Sequence, residues 1–340
     1  MSWNKFERFN NVFTGQVVDR PLVSGWMHLL GHENDSASLA EETIRFTRRF
    51  DWDWIKLNPR AGYYPEQFGN TYDLSDLQDI FARQTSRALA TDTAQQALRE
   101  KWKASPPQFN EQFDCIQRIQ DIAPDIPIVQ TIFSPLSIML QLAGLSMFPG
   151  GKVYGEESPI DSEALFGRSL AETHKTLQAI TATTIHYVEM LAASGVSGLF
   201  YTTTGTANPK MFSESKFDDL SRRYDLEILN AFHGAKILHT CGAHSSPQRF
   251  ENYPISALSW DTYAEGNPSI TLDTRHIVVG GVDRQEIRNN RGALQIQATA
   301  AIDSFANRAF CLAPTCGLLQ GTPDTALDVL RQSVGTSVGS

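Results

Sequence analysis

The sequence has little cysteine, no long apolar run and no excess of positive charge. Its four cysteines are scattered over 340 residues, which is too few for a disulfide framework in a chain of this length. We therefore expect reduced thiols and a cytoplasmic protein. No apolar run reaches the roughly 18 residues of a membrane span, and the charged N-terminus lacks the apolar stretch of a secretory signal.

The shortage of basic residues and of phosphate-binding glycine loops excludes further classes. The net charge is −9 at pH 7, which argues against nucleic acid and anionic membranes as partners. No Gly-x-Gly-x-x-Gly loop follows an apolar segment, so the usual dinucleotide-binding signature is missing. A hydrophobic fraction of 41% in 340 residues is sufficient for the core of one large domain or of two ordinary ones.

Eight short apolar segments alternate with helical segments along the chain. This alternation predicts a parallel sheet, and eight strand–helix units in this length predict one closed (β/α)8 TIM barrel over residues 1–340. An open doubly wound sheet is the alternative, disfavoured by the missing glycine loop. Residues 60–107 and 134–195, after strands two and three, are predicted insertions, the first irregular with some helix. Helices are also predicted over 218–232 and 284–306. The predicted strands are residues 22–27, 52–58, 126–133, 196–201, 234–239, 255–260, 276–281 and 309–313.

Polar or thiol-bearing residues follow every predicted strand. A barrel gathers the C-terminal ends of its strands on one rim, where barrel active sites are built. Of the residues on this rim, His28, Asn58, Tyr201 and Asp261 are candidate catalytic residues. The full set is His28, Asn58, Ser134, Tyr201, Thr202, His239, Cys241, Asp261, Asp283 and Cys316.

Three of these rim residues form a candidate metal site. His239 and Cys241 are two positions apart at a strand end, so both side chains point to the same side. Cys316 follows strand eight and reaches the same rim. One histidine and two cysteines, with a fourth position open, are typical of catalytic zinc, and thiolates favour zinc over magnesium or calcium. Asp261 is a candidate fourth ligand or partner of His239, and Glu265 is a weaker candidate for the same role.

Several other residues have an ordinary structural interpretation beside a functional one. A thiol inside a strand or a helix most often packs as a small apolar group, and an aspartate after a strand often caps the next helix. Aromatic side chains fit a substrate pocket or the core equally well. We expect Cys115 and Cys311 to be buried thiols, and His32 and His244 to be surface or supporting residues. Trp54, Tyr63 and Tyr64 are expected in the pocket or the core. Asp283 is expected to be a helix cap or a site residue.

Several motifs together resemble a known family. They are Asp19-Arg20-Pro21, residues 50–56, His239-Thr240-Cys241-Gly242, residues 280–283, and Pro314-Thr315-Cys316-Gly317 with the following Thr322-Pro323. In order and spacing, over nearly the whole chain, the sequence resembles the uroporphyrinogen decarboxylase superfamily, whose members are single (β/α)8 barrels.

The resemblance implies one of two chemistries. The true decarboxylases work without metal, with an arginine-rich loop after strand one and a carboxylate at the end of strand two. Here residues 25–32 contain no arginine and Asn58 stands at the strand-two position. We also expect the rim to be poor in the cations that an acidic porphyrinogen needs. These departures disfavour porphyrinogen decarboxylation.

The other branch is the corrinoid-dependent methyltransferases, such as the methylcobamide:coenzyme M enzymes. Their zinc is held by a His-x-Cys after strand five and a Cys after strand eight, which correspond to His239, Cys241 and Cys316. The resemblance therefore implies transfer of a methyl group from a corrinoid to a small thiol acceptor. The sequence has no Asp-x-His-x-x-Gly cobalamin motif, so a partner protein is expected to supply the corrinoid.

Three hypotheses remain open from the sequence. The first is the zinc-dependent methyltransferase, with Asp261 as a displaceable or supporting carboxylate. The second is a uroporphyrinogen decarboxylase-type lyase of porphyrin biosynthesis, or a family member without methyl transfer. The third is a non-catalytic, zinc-storing barrel. A homodimer is compatible with each of them.

Overall fold

The structure is a computed structural model that describes residues 3–89, 93–167 and 169–335. Its main sheet has eight strands, all paired in parallel, in the order β1-β10-β9-β8-β7-β6-β5-β2. The predicted (β/α)8 barrel is confirmed. The strands are β1 Leu22–Val23, β2 Ile55–Leu57, β3 Thr71–Gln78, β4 Phe81–Ser86, β5 Ile128–Phe133, β6 Gly198–Thr204, β7 Ala235–Thr240, β8 Ala257–Trp260, β9 Ile277–Val282 and β10 Phe310–Pro314.

Helices surround the sheet on its outer side. A π-helical turn at Asp218–Arg222 and a 3-10 turn at Pro247–Phe250 accompany the α-helices. No helix among the described residues is long and apolar enough to cross a membrane. The α-helices are α1 Lys5–Phe13, α2 Ser36–Arg49, α3 Tyr63–Phe68, α4 Ala94–Ala104, α5 Asn110–Ile122, α6 Pro135–Leu142, α7 Ser162–Gly167, α8 Leu170–Ala193, α9 Glu214–Phe217, α10 Arg223–Asn230, α11 Arg284–Asn289, α12 Arg291–Ser304 and α13 Asp324–Gln332.

The barrel is joined between β1 and β2 by a buried carboxylate. The Asp53 backbone N–H donates to the Val23 carbonyl at 3.0 Å, and the Val23 N–H donates back to Asp53 Oδ2 at 2.9 Å. Arg20 donates to both carboxylate oxygens, at 2.6 and 2.7 Å. A side chain thus takes the place of a ladder partner here, and both strands are shorter than predicted.

The barrel interior is filled at its N-terminal end. Phe9, Val12 and Phe13 of α1 pack in one cluster with Trp54, which directly precedes β2, and with Phe200 of β6. A second, larger cluster lies between the strands and the outer helices. Because α1 plugs one end of the barrel, only the C-terminal end of the strands is left for a cavity.

The first insertion differs from its prediction. Residues 60–107 contain α3, α4 and an antiparallel hairpin of β3 and β4, where an irregular segment with some helix was predicted. The hairpin was missed because its strands are rich in polar residues and, apart from Gln84, exposed or partly buried, so they carry no alternating apolar pattern. Asp79, at φ 56°, forms the turn between them.

Two predicted helices are also interrupted. The helix predicted over 284–306 ends at Asn289, and Asn290 caps a new helix by accepting from the Ala293 N–H. The helix predicted over 218–232 begins with the π-helical turn and is regular only in α10. The π-helical turn has no proline or glycine beside it, whereas the break at Asn290 lies just before Gly292, a signal that the prediction missed.

Candidate metal centre

His239, Cys241 and Cys316 lie side by side at the C-terminal end of the barrel. His239 is in β7, Cys241 directly follows β7, and Cys316 follows β10. One possible ligand atom from each residue lies within 4.8 Å of the other two. The Cys241 and Cys316 sulfurs are 4.0 Å apart. The structure therefore brings together three residues that the sequence separates by up to 77 positions (316 − 239).

The local chain fixes each ligand. β7 pairs in parallel with β6 and β8, which holds His239 beside Thr202 and Ser259. The Cys241 N–H donates to the Thr204 carbonyl at 2.8 Å, which extends the β6–β7 pairing past the strand end. Gly242 then turns the chain at φ 79°, a conformation that favours glycine.

The imidazole of His239 has one satisfied nitrogen and one orphan nitrogen. Its Nδ1 lies 3.0 Å from the Ser259 hydroxyl, while its Nε2 is buried without a hydrogen-bond partner among the described residues. Leaving a buried polar atom unpaired costs about 1–3 kcal/mol. A metal ion bound at Nε2 would remove that cost, and the donor set of one nitrogen and two sulfurs fits zinc.

The two sulfurs share a hydrogen bond that polarises them. The hydrogen bond with Cys241, aided by His239, holds the pKa of Cys316 well below its usual range, although burial opposes this. The same hydrogen bond and burial raise the pKa of Cys241. Cys316 is thus the more readily ionised of the two thiols, and a cation would favour ionisation of both.

The three residues line a cavity of about 430 Å³ that also contains three of the four candidate catalytic residues, His28, Asn58 and Asp261. His28 Nδ1 lies 2.8 Å from a carboxylate oxygen of the buried Glu33. The Asn58 amide donates to the Met27 carbonyl at 3.1 Å and accepts from the Thr131 hydroxyl at 3.2 Å. The carboxylate of Asp261 accepts from the Tyr263 N–H at 3.2 Å, so all three side chains are held in place by neighbours.

The predicted fourth ligands stand apart from the triad. Within the described residues, the group of close metal-binding atoms contains neither Asp261 nor Glu265. Asp261 lines the cavity, and burial raises the pKa of its carboxyl group. The prediction of Glu265 as a ligand is wrong, because its exposed carboxylate lies 3.6 Å from His244. The partner of His239 is Ser259.

Tyr201 is not in the cavity, and its prediction as a site residue is wrong. It is fully buried, and its hydroxyl donates to Asp225 of α10 at 2.6 Å. Neighbouring residues of a strand point to opposite faces. Phe200 and Thr202 point into the cavity, so Tyr201 must point toward the helices.

The remaining candidates have structural roles. Cys115, Cys311, Trp54, Tyr63 and Tyr64 are buried in the core, and none of them lines the cavity. Their positions follow the ordinary interpretation of apolar packing. Asp283 caps α11 by accepting from the Gln285 N–H at 2.8 Å, and His32 lies 2.8 Å from the Ser38 hydroxyl.

The sequence prediction missed two cations in the cavity, Lys56 and Arg284. Lys56 is in β2 between the buried residues Ile55 and Leu57. A lone lysine that alternates with apolar residues in a strand has its side chain on the opposite face from them, and this pattern could have placed it inside the barrel. The expectation that the rim is poor in cations is therefore wrong.

Segments of the two insertions line the outer part of the cavity. The hairpin turn contributes Asp79, Ile80 and Phe81, and the connection after α6 contributes Met147 and Phe148. Sequence patterns could not place these residues, because they come from segments without regular apolar periodicity. They give the cavity a largely apolar outer wall.

Comparison with known proteins agrees with this architecture. A methyltransferase from Methanosarcina mazei is similar with a TM-score of 0.72 and 15% identity, over 97% of this chain and 98% of that one. A B12-independent methionine synthase from Shewanella sp. W3-18-1, solved in complex with selenomethionine, is similar with a TM-score of 0.56 and 11% identity, over 93% and 96%. At these identities the likeness shows a shared fold.

No curated protein sequence matches the chain significantly. The family profile described as Uroporphyrinogen decarboxylase (URO-D) matches residues 4–336. This match covers nearly all of the barrel and its insertions. The chain therefore belongs to the uroporphyrinogen decarboxylase (URO-D) family.

Proposed function

We propose that this protein is a zinc-dependent methyltransferase that moves a methyl group from the corrinoid of a partner protein to a small thiol. The observation that carries the proposal is the orphan Nε2 of His239 beside the sulfurs of Cys241 and Cys316, in the wall of an open cavity. Zinc held there would supply the positive charge that converts a thiol into the nucleophilic thiolate near neutral pH.

The chain's own residues have distinct parts in this proposal. His239, Cys241 and Cys316 would hold the metal, and Ser259 fixes the imidazole through Nδ1. The apolar side chains in the cavity wall would keep water away from the reacting sulfur. The donor methyl group would arrive from the open mouth of the cavity, so a partner that carries the corrinoid would dock at the C-terminal rim of the barrel.

The metal content of purified protein tests the first part of the proposal. We expect about one zinc ion per chain after purification without chelators, measured by inductively coupled plasma mass spectrometry. Cys316→Ser should lose tight zinc binding, because serine replaces a thiolate ligand. Cys115→Ser is the matched control, since Cys115 is a buried thiol of α5 that does not line the cavity. Substoichiometric zinc in the wild type, or unchanged zinc in Cys316→Ser, would contradict the proposal.

The methyl transfer itself is tested with free methylcobalamin as the donor and 2-mercaptoethanol as the acceptor. We expect demethylation of the corrinoid, followed by its absorption spectrum, only with zinc-loaded protein and thiol together. Zinc binding without any thiol-dependent demethylation would instead favour a zinc-storing barrel.

One observation favours a second candidate function. Lys56 and Arg284 line the cavity, and such cations could hold the carboxylates of an acidic substrate. A decarboxylase of this kind would act equally well after zinc removal. Retention of decarboxylation by a chelator-treated protein would support it, and dependence on zinc would exclude it.

A further inference from the structure

Lys56 is a cation inside the candidate site that has no anionic partner. Its ammonium group contacts the Asn58 side-chain oxygen and lies 4.3 Å from the ring centre of Phe200 and 5.7 Å from that of Trp26. Across residues 3–89, 93–167 and 169–335, no carboxylate lies within 4.0 Å of it to form an ion pair. A positive charge that is enclosed without an ion-pair partner is unfavourable. The position of Lys56 in the cavity therefore points to a negatively charged ligand.

The surroundings of Lys56 are poorly hydrated. The side chain is partly exposed to the cavity, yet the cavity walls remove enough water that burial lowers the pKa of the amine to about 7. Negative charge on Cys316, Cys241 and Glu33 opposes this shift and raises the pKa. Negative charge placed near the amine therefore favours the ammonium form of Lys56.

The metal-loaded site would lack a positive charge to balance a bound thiolate. A divalent ion and two thiolate ligands sum to zero, so an acceptor thiolate would add one uncompensated negative charge in a medium of low dielectric constant. Arg284 attracts both Asp261 and Cys316, so part of its charge is already offset. Lys56 is also attracted by a carboxylate, that of Glu33, but Glu33 is engaged by His28 Nδ1 at 2.8 Å and makes no ion pair with Lys56 among the described residues.

We propose that Lys56 is a positioning residue whose ammonium group offsets the negative charge of the acceptor sulfur when the thiol binds. The inference rests on the proposed function and adds the residue that makes thiolate binding favourable. On binding, the S–H bond of the acceptor would break and its proton would leave to solvent, and the zinc that His239, Cys241 and Cys316 would hold would supply positive charge for the resulting thiolate. The negative charge of the bound thiolate would favour the ammonium form, so Lys56 would be protonated while the thiolate is bound.

Thiol binding to the zinc-loaded protein tests this role. The probes are 2-mercaptoethanol, which has no charged tail, and 3-mercaptopropionate, which has one. Titration calorimetry in buffers of different ionisation enthalpy gives both the Kd and the number of protons released. We expect Lys56→Met to weaken binding of both thiols about 10- to 100-fold, the range that one nearby charge produces. Lys56→Arg should restore most of the affinity, because it restores the charge.

Two checks separate this role from a structural one. Zinc content and thermal unfolding of Lys56→Met should match the wild type, because Lys56 is not a metal ligand. Lys56→Gln serves as a second neutral variant that keeps a polar end. Loss of thiol affinity without loss of zinc in both neutral variants is the expected result.

The alternative outcomes are distinct. Unchanged thiol affinity in both neutral variants would overturn the inference and leave the proposed function intact. A loss confined to 3-mercaptopropionate would also overturn it, because Lys56 would then bind the tail of the acceptor and not its sulfur. Absence of thiol binding by the zinc-loaded wild type would overturn the proposed function, and this inference with it.

Discussion

At the residue scale, the site depends on how one imidazole is held. Ser259 lies on β8 directly beside His239 on β7, and its hydroxyl is the hydrogen-bond partner of Nδ1. This contact leaves Nε2 for a ligand. The partner that orients a metal-binding histidine is usually a carboxylate, a carbonyl or water. A serine hydroxyl forms a weaker hydrogen bond than a carboxylate, but it still orients the imidazole ring.

Ser259→Ala should therefore weaken metal binding without abolishing it. We expect a zinc affinity about 10- to 100-fold lower, the range found when partners of ligating histidines are removed. Competition with a chromophoric chelator measures the affinity. Ser304→Ala, on the surface of α12, is the control and should bind zinc as the wild type does. Equal affinities in the two variants would mean that Ser259 does not orient the ligand.

Asp261 gives a second prediction at this scale. Its carboxylate lies in the cavity but outside the close group of metal-binding atoms, so Asp261→Asn should retain one zinc ion per chain. Elemental analysis of the purified variant measures this, with Glu265→Gln as the surface control. Loss of zinc from Asp261→Asn alone would show that the carboxylate moves in to become the fourth ligand.

At the scale of elements, a buried carboxylate ties β6 to the outer helices. Asp225 of α10 accepts from Tyr201 at 2.6 Å, from Ser221 at 2.8 Å and from Tyr253 at 3.2 Å. Ser221 lies in the π-helical turn that precedes α10, and π-turns often redirect side chains within a helix. Burial raises the pKa of Asp225 to about 7, against the opposing effect of these hydroxyl donors.

This carboxyl group should make stability depend on pH. Its pKa is about 7 in the folded protein and about 4 in the unfolded chain, so between these values the folded state holds a proton that the unfolded state has lost. The free energy of unfolding should therefore fall as pH rises from about 4 to about 7, by at most on the order of 4 kcal/mol. It should stay at the lower value above that window.

Asp225→Asn should remove this part of the pH dependence, because the amide is neutral throughout. Urea unfolding at pH 5 and pH 8 measures the change in both proteins, and the background from other groups cancels in the comparison. Asp303→Asn, exposed on α12, should keep the wild-type dependence. Parallel behaviour of wild type and Asp225→Asn would contradict the assigned shift.

At the scale of the whole molecule, a buried ion pair joins the two strands of the barrel, β1 and β2, that have no ladder of backbone hydrogen bonds between them. Between β1 and β2, Asp53 connects both strands to Arg20, and Arg8 of α1 approaches the same carboxylate at 3.4 Å. Removing one partner of a buried ion pair leaves an uncompensated charge. Two motifs carried part of the family resemblance. Asp19-Arg20-Pro21 and the Asp53 of residues 50–56 thus build the closure, whereas Lys56, at the end of the second motif, lines the cavity.

Asp53→Asn should lower the free energy of unfolding by about 3–5 kcal/mol. Asp51→Asn is a close control, because Asp51 is an exposed residue that pairs with Lys5 and Arg331, and exposed ion pairs contribute about 0–1 kcal/mol. Chemical unfolding followed by tryptophan fluorescence measures both. Equal losses in the two variants would mean that the buried network does not stabilise the closure.

The sequence by itself determined the barrel and the identity of the three close site residues. Eight apolar segments in alternation with helices allow few topologies, and a barrel brings every strand end to one rim. His239, Cys241 and Cys316 could be grouped for that reason, without any knowledge of distances. The zinc and the methyl transfer assigned to them stay predictions.

Only the tertiary structure decided which face each rim residue presents and what surrounds it. A shift of one position along a strand reverses the side chain, which is why Tyr201 was placed in the cavity and Lys56 was overlooked. Ser259 and the hairpin turn reach the site across sequence separations that no local pattern encodes. The burial of each site residue and the charges around it depend on residues from several strands and loops, which come together only when the chain folds.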